Sequence, residues 1–126
     1  MSQILWNETT NAAIVLAATA GKTETYAAEE LSAYLCKMSG KSFIISDRIR
    51  DGKVNILVGL DACRADGFIP DADLTEDGFM ICSKEIRFYI TGRHPRGTLF
   101  GVCEFLERFY GVRWLMPGED GEVVPV

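Results

Sequence analysis

Residues 86–117 read IRFYITGRHPRGTLFGVCEFLERFYGVRWLMP, and the change of period inside this stretch decides the fold. Ile86, Phe88 and Ile90 alternate with Arg87, Tyr89 and Thr91, the twofold period of a strand with one buried face. Gly92 ends it. From about Arg96 the apolar residues Leu99, Val102, Cys103, Leu106, Phe109 and Tyr110 recur at steps of three and four, which predicts a long amphipathic helix. Gly111 is placed to stand just past the helix end, and Val112–Leu115 resumes an extended pattern up to Pro117.

Upstream, Ala13–Ala18 (AIVLAA) is expected to be a strand, and Ile4–Trp6 a short edge strand. A helix follows, with Ala27, Leu31, Tyr34, Leu35 and Met38 on one stripe, glutamates toward its start, Lys37 toward its end and Gly40 closing it. Phe43–Ser46 and Val54–Val58 are the next strands, separated by the polar turn DRIRDGK; the second, VNILV, is apolar enough to be central. Residues 61–77 carry Gly67, Pro70 and six acidic side chains and are expected to form a surface excursion. Gly78–Cys82 and Ile86–Thr91 then make an antiparallel hairpin. The fold class is α+β in two layers: a mixed β-sheet of about five to seven strands with two main helices on one face, the opposite face being left for a partner domain.

A chain of 126 residues fits one domain able to bury a substantial core. Its net charge of −5 argues against nonspecific nucleic-acid binding, which needs a basic face to displace counterions. No apolar run reaches the roughly 20 residues that span a bilayer, and the N-terminus lacks the basic start of a secretory signal. Cys36, Cys63, Cys82 and Cys103 are widely spaced and share the chain with a single histidine, so free thiols are expected rather than a zinc site, with Cys36 and Cys103 buried. Free thiols favour a reducing, cytoplasmic compartment; removal of an upstream leader would equally permit secretion. The last residues, GEDGEVVPV, lack a terminating pattern, and the chain reads as cut from a longer one.

The sharpest local feature is the strand-to-helix turn Gly92-Arg-His-Pro-Arg-Gly97-Thr98. It is spaced like a phosphate loop, but Thr98 follows Gly97 directly where a P-loop needs a lysine. What remains is a candidate anion or ligand contact from Arg93, His94 and Arg96 near a helix N-terminus, against the simpler reading that Pro95 and Gly97 shape the turn. His94 is the only available histidine base, and no nucleophile is fixed near it. Carboxylate pairs such as Glu104/Glu107 and Glu119/Glu122 read as solvated surface, and the acidic residues of 61–77 lack calcium-loop spacing. No cofactor is expected.

The string RGTLFGVCEFLERFYGVRWLMPGEDGEVVP, preceded by YITG, resembles the segment that ends the small N-terminal domain of family 67 α-glucuronidases and of an uncharacterised relative. That domain is in turn similar to the one ahead of the barrel in β-hexosaminidases. The matching positions are Arg96, Gly97, Phe100, Gly101, Val102, Phe105, Leu106 and Glu107 on the helix. Gly111, Arg113, Trp114, Pro117, Gly121 and Glu122 follow. AAEELSAYLCKMSGK, ILVG and DGFMI resemble the family's first helix and two of its strands. The resemblance implies a non-catalytic module whose partner is a downstream (β/α)8 catalytic domain of the same polypeptide, with carbohydrate touched only indirectly.

On a helical wheel Gly97, Phe100 and Gly101 fall away from the apolar arc. Two glycines there would weaken a merely solvated helix, so these three residues are expected to form a docking surface for that downstream domain or for a second copy. The other readings are a carbohydrate-binding module, for which Trp6, Trp114 and Tyr89 are the candidate exposed aromatics, and a small enzyme using the 92–98 turn.

Overall fold

The computed structural model describes residues 12–50, 52–70, 74–84, 86–110, 113–114 and 122–123, with positions 108–110 and the last two pairs as backbone only. Among the described residues, seven strands and three helices run in the order β1 (Ala13–Leu16), α1 (Lys22–Ser39), β2 (Ile45–Ser46), β3 (Asn55–Val58), α2 (Leu60–Ala65), β4 (Phe79–Lys84), β5 (Arg87–Gly92), α3 (Pro95–Tyr110), β6 (Arg113–Trp114) and β7 (Glu122–Val123). Five of the strands form one sheet in the order β2-β1-β3-β5-β4, and β6 pairs with β7 separately. β2, β1, β3 and β5 are parallel; β4 is antiparallel to β5, with Lys84 opposite Arg87 and Phe79 opposite Gly92. The expected α+β architecture, a mixed sheet with two main helices on one face, is the architecture found. The expected strand at Ile4–Trp6 lies outside the described residues.

Alternation along the strands sorts the side chains into two clusters. Ile14, Ile56, Val58, Phe88 and Ile90 join Leu31, Leu35, Val102, Phe105 and Leu106 of the two long helices in the main core, where the rings of Phe88 and Phe105 meet edge to face at 5.6 Å. Val15, Leu57 and Tyr89 point the other way and meet Ala62 and Cys63 of α2. The central strand carries one polar residue, Asn55, 1% exposed. Its Oδ1 accepts from the Arg50 N–H at 2.9 Å, and its Nδ2 donates to the carbonyls of Arg50 and Lys53. A buried amide so satisfied fixes the turn before β3.

Three expectations are corrected here. The start of the expected surface excursion, 61–65, belongs instead to α2, Leu60–Ala65. The buried face of α3 is Thr98, Val102, Phe105 and Leu106 with Gly97 and Gly101. Of the expected stripe Val102 and Leu106 are buried and Leu99 packs partly buried against the core, Cys103 is only half-buried, and Phe105 and the glycines extend the face on the other side. The helix lies so close to the sheet that its glycines face inward, and a pattern that counts only large apolar residues skips them. Cys36 is exposed and Cys103 half-buried, while Cys63 is fully buried. Burial pushes the Cys63 thiol up to about 12 and the Cys103 thiol up to about 11. Native protein treated with a thiol-specific reagent is therefore expected to react first at Cys36 and last at Cys63, and denatured protein at all four cysteines; fast labelling of Cys63 in the native state would contradict this packing.

Candidate functional site

Among the described residues, two places gather chemically capable side chains: the turn that starts α3, and the carboxyl ends of β1 and β3. In the first, the backbone is tightly determined. The Gly92 N–H donates to Thr98 Oγ1 at 2.9 Å and the Thr98 N–H to the His94 carbonyl at 3.2 Å, with Thr98 wholly buried. Arg93, His94 and Arg96 stand outside this frame, all exposed. Arg93 donates to the Leu74 carbonyl at 3.5 Å, and Arg96 Nε lies 3.6 Å from Asp77 Oδ1. The Arg96 guanidinium also sits 5.7 Å from the centre of the Phe100 ring. Two of these three side chains, the arginines, thus reach the 74–77 segment, so the turn has a local role as a brace between α3 and the approach to β4. An exposed pair of this kind contributes little stability.

The glycines of α3 do not open an outward groove. A Cβ on Gly97 would fall on the Gly78 carbonyl oxygen, one on Gly92 would lie 2.6 Å from the Gly97 backbone, and one on Gly101 would lie 3.0 Å from Ile90 Cγ2 and 3.3 Å from Phe79 Cβ. Their missing side chains let α3 approach the β4–β5 hairpin of the same domain. Of the three expected docking residues only Phe100, 39% exposed, faces away from the sheet.

The second place is a cleft of about 400 Å³. It is lined by the apolar Val15, Ala17, Ile49, Leu57 and Ala62, by the exposed Ala18 and Ala65, and by the charged Asp47, Arg48, Asp61 and Asp66. The Arg48 loop is held by Ser46, whose Oγ donates to the Arg48 carbonyl at 3.1 Å. Asp61 Oδ2 accepts from Thr19 Oγ1 at 3.0 Å. Asp66, where α2 ends, is bound on one side by Arg87, whose Nη1 lies 2.5 and 2.6 Å from its two oxygens, and by Tyr89 Oη, which donates to it at 2.6 Å. Tyr89 in turn stacks on Phe68 with ring centres 4.6 Å apart. Burial works to raise the Asp66 pKa, but the hydrogen bonds from Tyr89 and Arg87 outweigh it and hold the carboxyl below its usual range. Tyr89, a candidate exposed aromatic for sugar stacking from the sequence, is buried at 5% exposure; Trp6 lies outside the described residues, and Trp114 is described as backbone alone.

Behind the cleft, Glu24 of α1 is 7% exposed and accepts from the Leu60 N–H at 3.4 Å. Gly59, at φ 98°, leaves the space that this carboxylate fills. Burial raises the Glu24 pKa, opposed by the Leu60 hydrogen bond and assisted by Asp61. Because the folded chain holds this proton more tightly, the stability it contributes is complete below the unfolded value of 4.5 and is lost as pH rises through the folded value. Glu24→Gln is expected to stabilise the domain by at most about 1 kcal/mol at neutral pH and to lose that advantage near pH 4. Equal melting shifts at both pH values would contradict this.

Neither place supplies a nucleophile with a base. Glu104 is half-buried and Glu107 exposed on α3, and among the described residues no three metal-capable side chains gather. Sequence reading passed over the Asp66–Arg87–Tyr89 cluster and the cleft. Both depend on α2, which it took for an irregular segment.

Residues 5–105 match the family described as Glycosyl hydrolase family 67 N-terminus. Among solved structures, a family GH115 4-O-methyl-α-glucuronidase, BtGH115A, with specificity for decorated arabinogalactans, superposes with a TM-score of 0.62 at 16% identity, over 88% of this chain and 16% of that one. CpGH84D gives 0.58 at 16% identity over 89% and 19%, and a GH138 enzyme targeting pectin rhamnogalacturonan II gives 0.58 at 17% identity over 77% and 13%. At such identities the likeness is one of fold, and the chain spans less than a fifth of each of those proteins. No curated protein matches it in sequence.

Proposed function

The chain belongs to the family of glycosyl hydrolase family 67 N-terminal domains, and from that premise we propose that it acts as a non-catalytic accessory domain packed on a downstream catalytic domain of the same polypeptide. The observation that carries this reading is the placement of the fold: it recurs as 13–19% of the length of larger carbohydrate-active enzymes. The two side-chain clusters of this domain agree with such a role, since Asp66 is tied to Arg87 and Tyr89 and Arg93 and Arg96 reach the neighbouring loop.

On this reading the parent is a glycoside hydrolase of the α-glucuronidase type, and Phe100 with Arg96 above it forms part of the surface that meets the catalytic domain. Self-association through the same surface is the second use open to it. The reading frame beyond codon 126 tests the proposal. A following (β/α)8 domain with a pair of carboxylates at the carboxyl ends of its strands is expected, and a stop codon directly after Val126 would overturn it.

A further inference from the structure

We propose that the cleft at the carboxyl ends of β1 and β3 is a low-affinity binding site for a neutral pyranose unit, held at its rim by Asp47, Arg48 and Asp61. The sheet order explains why a cleft exists there. From β1 the chain passes through α1 to β2 on one side, while β3 lies on the other side. The connections leaving β1 and β3 therefore diverge, and open parallel sheets bind ligands at such divergence points. The volume of about 400 Å³ falls in the range of small-molecule sites.

The lining has the two halves that a sugar ring requires. The buried Val15, Leu57 and Ala62 with the half-buried Ala17 and Ile49 give an apolar surface for the C–H face of the ring, bordered by the small side chains of the exposed Ala18 and Ala65. At the rim, carboxylates accept from hydroxyls and the Arg48 guanidinium donates to hydroxyl or ring oxygens. Asp61 has taken one hydrogen bond from Thr19 and retains acceptor capacity. Asp66 is neutralised by Arg87 and forms a wall.

Charge selects the kind of sugar. With Asp66 offset, Asp47 and Asp61 outweigh Arg48, so the mouth is net negative and repels a uronate while admitting a neutral ring. The cleft lining includes no aromatic platform, which sets the affinity low, with a dissociation constant of the order of 1–10 mM for a monosaccharide. The choice of a sugar as ligand rests on the carbohydrate setting of the proposed function; the location and the charge preference rest on the cleft itself.

The test is an amide NMR titration of the 126-residue chain with methyl β-D-xylopyranoside, methyl α-D-glucopyranoside and the sodium salt of methyl α-D-glucuronoside, with glycerol as control, each to about 50 mM. The neutral glycosides are expected to shift residues 17–18, 47–49 and 61–66, and the uronate to bind about fivefold or more weakly. Ala65→Leu, at an exposed position, is expected to abolish the titration by filling the cleft. Asp47→Asn with Asp61→Asn keeps acceptors but removes the charge, and is expected to bring the uronate level with the neutral sugars. The proposal is overturned by shifts elsewhere, by no shifts, by equal shifts with glycerol, by preference for the uronate in the parent chain, or by titration that survives Ala65→Leu. A sugar-free cleft would leave the accessory role intact, and a stop codon after Val126 would remove that role without touching the titration.

Discussion

Gly97→Ala is expected to lower the melting temperature by about 10 °C or more, roughly 3 kcal/mol, although alanine is the better helix former by about 1 kcal/mol. The direction is the informative part. At a solvated helical glycine, propensity alone would make the alanine variant more stable. Here the new methyl group would lie on the Gly78 carbonyl oxygen and 3.2 Å from Gly92 Cα, both backbone atoms that no rotamer change can clear. Separating them means lifting the first turn of α3 off β5, which breaks the hydrogen bond from Gly92 to the buried Thr98 hydroxyl. Gly92→Ala meets the same surface from the other side and is expected to cost as much.

Gly101→Ala is expected to stay within about 1 kcal/mol of the parent, because its nearest contact is the Ile90 side chain at 3.0 Å, which can shift. Gly21, with nothing within 4 Å, is the control. A Gly97→Ala variant as stable as the parent would show that α3 does not lie this close to the hairpin.

Asp66→Ala is expected to cost about 2–3 kcal/mol, because it leaves the Arg87 guanidinium and the Tyr89 hydroxyl without the group both donate to. The Asp66 side chain is only 14% exposed, so water replaces those bonds poorly. The acid limb of the stability curve carries the same signature. Since the folded chain binds the Asp66 proton more weakly than the unfolded chain does, the contribution is present above the unfolded value of 3.8 and is lost as pH falls through the folded one. Asp66→Asn should therefore flatten the fall in stability on acidification. At the alkaline end the direction reverses: burial and the Asp66 bond raise the Tyr89 pKa, so its contribution holds below about 10 and is lost above that. Tyr89→Phe keeps the stack on Phe68 and should remove the alkaline dependence and about 1 kcal/mol, and it should also lessen the acid dependence, because the Tyr89 hydroxyl is one of the donors that lower the Asp66 pKa. Chemical denaturation across pH checks all three variants, and an unchanged acid limb in Asp66→Asn would contradict the network.

Strands β3 and β5 and helices α1 and α3 were legible because each spans several periods of its own pattern. Phe88 and Ile90 reach the main core, where their alternation placed them, and Ile56 and Val58 of the apolar central strand join them; but Ile86 is exposed and Tyr89 and Thr91 are buried, so β5 is covered on both faces rather than on one. What escaped the reading is what a local pattern does not encode. α2, LDACRA, is six residues long, under two helical turns, and lies in an acidic run that looks solvated. Asp66 finds its partners at positions 87 and 89, more than twenty residues on, across the sheet. The expected arc of α3 holds at Val102 and Leu106, with Leu99 packed against the core, but it misses Gly97, Thr98 and Gly101, which are buried without carrying an apolar signal; there the close approach of two backbones, and not hydrophobic area, decides which side faces in. The cleft has no motif, since its apolar lining is made of ordinary aliphatic residues.

The measurement closest to the central claim, that this domain carries no chemistry of its own, is a glycosidase assay on the purified 126-residue chain, with a cooperative melting transition to certify that it is folded. Aryl glycosides, uronides among them, are tested from about pH 4 to pH 8, where a carboxylate or histidine catalyst would be active. The account predicts no hydrolysis above background. Turnover that disappears on His94→Ala or Glu104→Ala would contradict it.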